Sequence, residues 1–210
     1  NILYYDNTMK KIRPFLSKFI FLLSAVFMLC FALYAQPYVK NSAASADLPF
    51  VISHESGFYR HSLRISITPV RNAIIYYTTD GSEPSSISSS SIRYERPLTL
   101  KAALKEKSYP LRFRLYFDDG TSSKVYSYSY ILGYFISSRY DVYVVNILGD
   151  PDDLYGDENG IFTNYTLTGE ASERPVHFQM FDSTGNLLAA QNCGIRIFGN
   201  FSRGKLQKSF

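Results

Sequence analysis

The sequence predicts a mainly β protein with an N-terminal apolar helix, a β-sandwich, and then the β-rich start of an incomplete α+β domain. Two observations support this fold class. Short runs rich in β-branched and aromatic residues alternate with turn signals from Leu48 onward, and the chain holds 18 Tyr and 16 Phe but no Trp. The run Phe19–Tyr34, 16 residues without a charge, precedes them and favours a helix.

The charge of the chain is concentrated at its N-terminus. The net charge is +4, but residues 1–46 hold five basic residues and one acidic residue, which leaves 17 of each sign in the rest. A balanced charge gives no electrostatic footprint for nucleic acid, so no nucleic-acid partner is expected.

The N-terminal segment has the pattern of an export signal. Lys10 and Lys11 follow Met9, the apolar run comes next, and Ala44-Ser45-Ala46 supplies an A-x-A cleavage site. We therefore predict a signal peptide over residues 9–46, with residues 1–8 as an upstream extension. An uncleaved membrane anchor is the alternative, and it confines any membrane contact to residues 9–46. Both interpretations place the rest of the protein outside the cell or on its surface.

The two cysteines give no disulfide of the kind common in exported proteins. Cys30 lies in the apolar run and Cys193 stands alone in the remainder, so no disulfide forms within a domain. An exported domain without disulfides favours a bacterial surface protein.

The pattern of strand runs and turn signals in residues 47–132 predicts a β-sandwich. The run Ala73–Thr79 ends at the tight-turn pair Asp80-Gly81, and Lys124–Ile131 places Tyr126, Tyr128 and Tyr130 on one strand face with Ser127 and Ser129 on the other. A tyrosine face of this kind is usually packed on its own core, although stacking on sugars stays open.

A family resemblance covers this stretch. Residues Ile75–Pro84, IYYTTDGSEP, resemble the I-Y-Y-T-x-D-G-x-x-P core of chitobiase/β-hexosaminidase C-terminal-type domains. The resemblance implies an immunoglobulin-like (Ig-like) accessory domain at 47–132 that serves as a spacer or lies near carbohydrate, without a catalytic role.

Residues 133–210 carry a second set of ordered motifs. A buried strand, Val142–Ile147, leads into an acidic loop, and Glu173–Phe178 (ERPVHF), Phe181–Gly185 (FDSTG) and Arg196–Phe210 follow. The last segment resembles the R-x-x-G-N-x-S-R-x-x-x-x-K-S-F signature of the CotH-type (spore-coat) kinase family. This resemblance implies that residues 133–210 are the N-terminal part of a CotH-type kinase domain that continues past Phe210.

The resemblance also implies a reaction and a site. The full-length protein would transfer the γ-phosphoryl group of ATP, with Mg²⁺, to Ser or Thr of a surface or spore-coat protein. We expect Arg203 and Lys208 to contact phosphate, and Asn200 and Ser202 to shape the turn. The 210 residues contain no H-R-D or D-F-G segment, so catalytic carboxylates stay unassigned and the fragment alone is expected to be inactive.

Other chemistry has weaker support. The acidic loop at 150–159 offers oxygens for Ca²⁺, but its spacing differs from that of a calcium-binding loop. A solvated turn is the plainer interpretation, so no metal ligand is assigned.

The rival function is a non-catalytic surface module that scaffolds or binds polysaccharide. A glycoside hydrolase comes third, because no carboxylate pair is evident.

Overall fold

The computed structural model describes residues 48–205 and Ser209. The predicted signal peptide and Lys208 lie outside this part of the chain. From Pro49 onward the protein forms one compact unit. Among the described residues, no helix combines the length and apolar character needed to cross a membrane.

The fold is mainly β, as predicted. The first nine strands belong to the Ig-like domain: β1 (Phe50–Ile52), β2 (Gly57–Tyr59), β3 (Leu63–Ile65), β4 (Ile67–Pro69), β5 (Ala73–Thr78), β6 (Ile92–Arg93), β7 (Leu98–Leu100), β8 (Lys107–Phe117) and β9 (Tyr126–Leu132). A five-stranded sheet has the order β2-β9-β8-β5-β6, and two-stranded sheets pair β1 with β4 and β3 with β7. The β2–β9 pair is parallel, and the other pairs are antiparallel.

The tyrosine face of β9 forms the core of the sandwich. Tyr130 is fully buried and Tyr128 is 9% exposed. The Tyr128 ring stacks on Phe113 at 5.8 Å, and Phe50 meets Phe113 edge-on at 4.8 Å. Burial raises the pKa of both tyrosines, so their hydroxyls stay neutral at physiological pH. Tyr128 and Tyr130 are therefore core residues and present no platform for sugar stacking.

The second part of the protein is built on a three-stranded antiparallel sheet. It consists of β10 (Val144–Gly149), β11 (Arg174–Phe181) and β12 (Leu187–Ile195), with β11 in the middle, and we call it the second sheet. One short helix, α1 (Pro151–Tyr155), follows β10. Four buried aliphatic residues hold this part together: Ile161, Val176, Ile195 and Ile197.

The acidic loop begins as the cap of α1. Asp150 is the N-cap residue, and its carboxylate accepts a 3.0 Å hydrogen bond from the backbone N–H of Asp152. Pro151 follows at the first helical position, where its missing N–H costs nothing. Asp153 pairs with Arg174 at 3.8 Å. These contacts give three residues of the predicted loop structural roles.

Candidate functional site

The segment after β12 folds back on itself. Phe198 is exposed, and its backbone N–H donates to the Ser209 carbonyl at 2.7 Å. Gly199 has φ +106, a conformation that favours glycine, and a 3-10 turn follows at Phe201–Gly204. We call residues 196–205 the terminal turn.

Arg203 holds the terminal turn to an upstream segment. Its guanidinium donates to the carbonyl oxygens of Tyr165 at 2.8 Å and Ile197 at 2.6 Å, and also to Leu167. A planar cation with several donors suits carbonyls that approach from different directions. In this conformation Arg203 orders the turn, and these donors point at main chain.

Asn200 and Ser202 lie within the same turn. The Asn200 carbonyl accepts from the backbone N–H of Arg203 at 3.1 Å, and its side chain makes no capping hydrogen bond. The Ser202 hydroxyl lies so close to Gly199 that a Cβ there would clash with it. The turn is closed by a main-chain bond at Asn200 and by close packing of the Ser202 hydroxyl beside Gly199.

A cleft of about 380 Å³ opens beside the turn. It is lined by Gly169, Arg196, Ile197, Phe198, Gly199 and Arg203. Arg196 is exposed, and within the described part of the chain its guanidinium makes no hydrogen bond or ion pair. The motif contains both Arg196 and Arg203, and no local pattern separates them, because the carbonyls of Tyr165 and Leu167 that bind Arg203 lie more than thirty residues upstream.

The cleft presents a cation, the Arg196 guanidinium. A guanidinium is suited to a phosphate group, whereas the side of Gly199 on which a Cβ would lie is taken by the Ser202 hydroxyl. Mg²⁺ is different, because residues 48–205 and Ser209 bring no three His, Cys, Asp or Glu side chains together around a common point. These residues therefore fit a phosphate and give no assignable magnesium ligands.

Two of the three histidines have ordinary partners. His54 shares a 2.9 Å hydrogen bond with Ser53, and His177 shares one of 2.7 Å with Asn192. Burial lowers the pKa of His177, with a further lowering by Arg112 against the raising effect of Asn192.

Comparison with known proteins identifies the first domain. Residues 54–127 match the family model of the chitobiase/beta-hexosaminidase C-terminal domain. No curated protein and no solved structure matches the chain. The chain thus contains a domain of this family, and the CotH-type resemblance of residues 133–210 stays a prediction.

Proposed function

We propose that residues 133–210 form the phosphate-binding side of an exported CotH-type protein kinase. In the full-length protein, the γ-phosphoryl group of ATP would pass to Ser or Thr of a surface or spore-coat protein. The observation that supports this is the cleft beside the terminal turn, where the exposed guanidinium of Arg196 stands next to the glycine turn at Gly199. An exported location follows from the proposed signal peptide at 9–46.

The residues of the terminal turn have different roles in this proposal. Arg203 fixes the turn through main-chain carbonyls, while Asn200 and Ser202 set its shape. Arg196 supplies a positive charge to a phosphate in the cleft. Lys208 belongs to the same motif and is proposed as a second phosphate contact. ATP, when bound, supplies the group that is transferred, and no step is assigned to Mg²⁺.

The first test measures binding of pyrophosphate and ATP to the 210-residue chain by isothermal titration calorimetry. Arg196→Ala removes the charge-assisted contact, and a contact of this kind contributes about 1.5–3 kcal/mol. We expect affinity for both probes to fall by about tenfold or more. The matched control is Lys101→Ala, an exposed cation of the Ig-like domain, which should leave both affinities unchanged.

Two results would contradict the proposal. One is the absence of saturable pyrophosphate binding, and the other is equal binding by the Arg196→Ala variant. Labelling by γ-³²P-ATP then separates binding from catalysis. We expect the full-length protein to label a surface-protein substrate and the 210-residue chain to bind ATP without transferring phosphate.

A non-catalytic scaffold is the second candidate, and a different observation favours it. The outer face of the five-stranded sheet contacts the second sheet directly, because Asn146 of β10 donates to the Ser129 hydroxyl of β9 at 2.6 Å. An accessory domain that packs directly against the neighbouring sheet is typical of a structural role. Retention of the chain on insoluble chitin or cellulose, without pyrophosphate binding, would favour this candidate.

A further inference from the structure

We infer that the Ig-like domain is a permanent intramolecular partner of the second sheet, and that the two form one cooperative folding unit. This goes beyond the proposed kinase function and does not depend on it. The family resemblance implied a spacer or a carbohydrate-proximal module. The contacts instead assign the outer face of its five-stranded sheet to a partner within the same chain.

The centre of the contact is a buried polar cluster. The Ser56 hydroxyl accepts from the backbone N–H of Ser129 at 3.1 Å and from Gln179 Nε2 at 3.0 Å. Ser129 is fully buried, and Gln179 is 1% exposed. The Gln179 Oε1 atom is buried without a hydrogen-bond partner in the described part of the chain, so the polar alignment of the two sheets depends on the two bonds that Ser56 accepts.

An aromatic contact lies beside the polar cluster. The ring of Phe58, on β2, lies 5.6 Å from that of Phe181, which is fully buried at the end of β11. Tyr140, from the segment between the two parts, approaches the same Phe58 ring at 5.7 Å. Apolar area removed from water here is what stabilises the contact, while the polar cluster gives it specificity.

A third contact joins a turn of the Ig-like domain to α1. The Asp150 carboxylate, which caps α1, also accepts from the backbone N–H of Glu83 at 3.1 Å. Gly81 approaches Gly149 so closely that a Cβ on Gly81 would lie 2.7 Å from the Gly149 carbonyl oxygen. The Asp80-Gly81 turn of the Ig-like domain therefore helps to hold the helix that follows β10.

The segment between the two parts is itself attached to the Ig-like domain. The Gly133 and Tyr134 N–H groups donate to the carbonyls of Tyr59 and Ala103, both at 3.1 Å, and Arg139 pairs with Glu106 at 3.0 Å. Ile136 is only 2% exposed. A short, attached connection keeps the effective concentration of one part near the other at about millimolar or higher, which favours the docked state.

The test is hydrogen exchange of the 210-residue chain, followed by mass spectrometry of peptides from β8–β9 and from β11–β12. Gln179→Ala removes the side chain that bonds Ser56. The matched control is Gln191→Ala, because Gln191 is exposed on the opposite face of the same sheet. We expect Gln179→Ala to speed exchange by about tenfold or more in both sets of peptides, and Gln191→Ala to change neither.

Faster exchange confined to the β11–β12 peptides, or no change in either set, would overturn the inference. If Gln179→Ala prevents folding, Asn146→Ala provides the milder variant, because Asn146 is half-buried and loses one hydrogen bond to Ser129. The same comparison of the two peptide sets then decides the question.

Discussion

Arg203 shows how one side chain can order a turn that is distant from its main contacts in sequence. Its guanidinium bonds the carbonyls of Tyr165 and Leu167 as well as that of Ile197. The motif indicated a cluster of cations, but it could not separate a cation held by carbonyls from one that faces a cleft. That distinction depends on acceptors more than thirty residues upstream, which no local pattern reveals.

We predict that Arg203→Lys destabilises the protein by about 1–3 kcal/mol, because a single ammonium cannot reach carbonyls that lie in different directions. The free energy of unfolding in urea gives the measurement. Arg196→Lys is the control, since Arg196 is exposed, and it should stay within about 0.5 kcal/mol of the parent chain. Equal stability of the two variants would show that the carbonyl contacts contribute little.

At the scale of elements, the strands of the Ig-like domain could be predicted from the sequence. The burial of the strand face opposite the tyrosines could not. Period-two alternation assigned Tyr128 and Tyr130 of β9 to one face, and both are buried in the sandwich core. Ser129 on the opposite face is just as buried, because Asn146 and Ser56 cover it. Its partners come from distant parts of the chain, so the alternation alone gives no sign of the second sheet.

The sequence pattern does not predict α1, and the reason is local. The acidic run has the composition of a solvated loop, although Asp150-Pro151 is a recognisable start signal in which an N-cap acceptor precedes proline. A five-residue helix has too little periodicity to stand out beside such a run.

The turn between β11 and β12 permits a test of the docking contact. Gly185 has φ +92, and a Cβ there would overlap the ring of Phe58. Gly120 has φ +80, with nothing within 4 Å of its Cβ position. Gly120→Ala should therefore cost only the backbone strain, about 1–2 kcal/mol, whereas Gly185→Ala should cost about 1–3 kcal/mol more from overpacking. Urea unfolding measures both, and equal losses would mean that Phe58 moves aside freely.

At the scale of the whole molecule, two parts with separate sequence patterns pack as layers of one unit. The sequence predicted a sandwich and a following β-rich segment, because each has its own strand and turn signals. Their packing was not predictable, since it depends on single polar residues such as Ser56 and Gln179 and on close backbone approach at Gly81. The cleft beside the terminal turn was predictable only as a charged motif, because its shape depends on how residues 165–169 fold against the terminal turn.

This docked arrangement should weaken in acid through His177. Burial lowers the pKa of His177 below its usual 6.5, and Arg112 of the Ig-like domain lowers it further, against the hydrogen bond with Asn192. Between the folded and unfolded pKa values the unfolded chain binds more protons, so folding stability rises with pH. The contribution of neutral His177 to the free energy of unfolding is therefore complete above about pH 6.5. It is lost as the pH falls from there through the lower pKa that His177 has in the folded state.

We expect the urea midpoint of the 210-residue chain to fall between pH 7.5 and pH 5. His177→Gln should reduce this pH dependence, because an amide keeps a hydrogen-bonding group beside Asn192 without gaining charge beside Arg112. His61→Gln, at an exposed position of the Ig-like domain, is the control and should keep the pH dependence of the parent chain. An unchanged slope in the His177→Gln variant would exclude this residue as the acid-sensitive point of the docked unit.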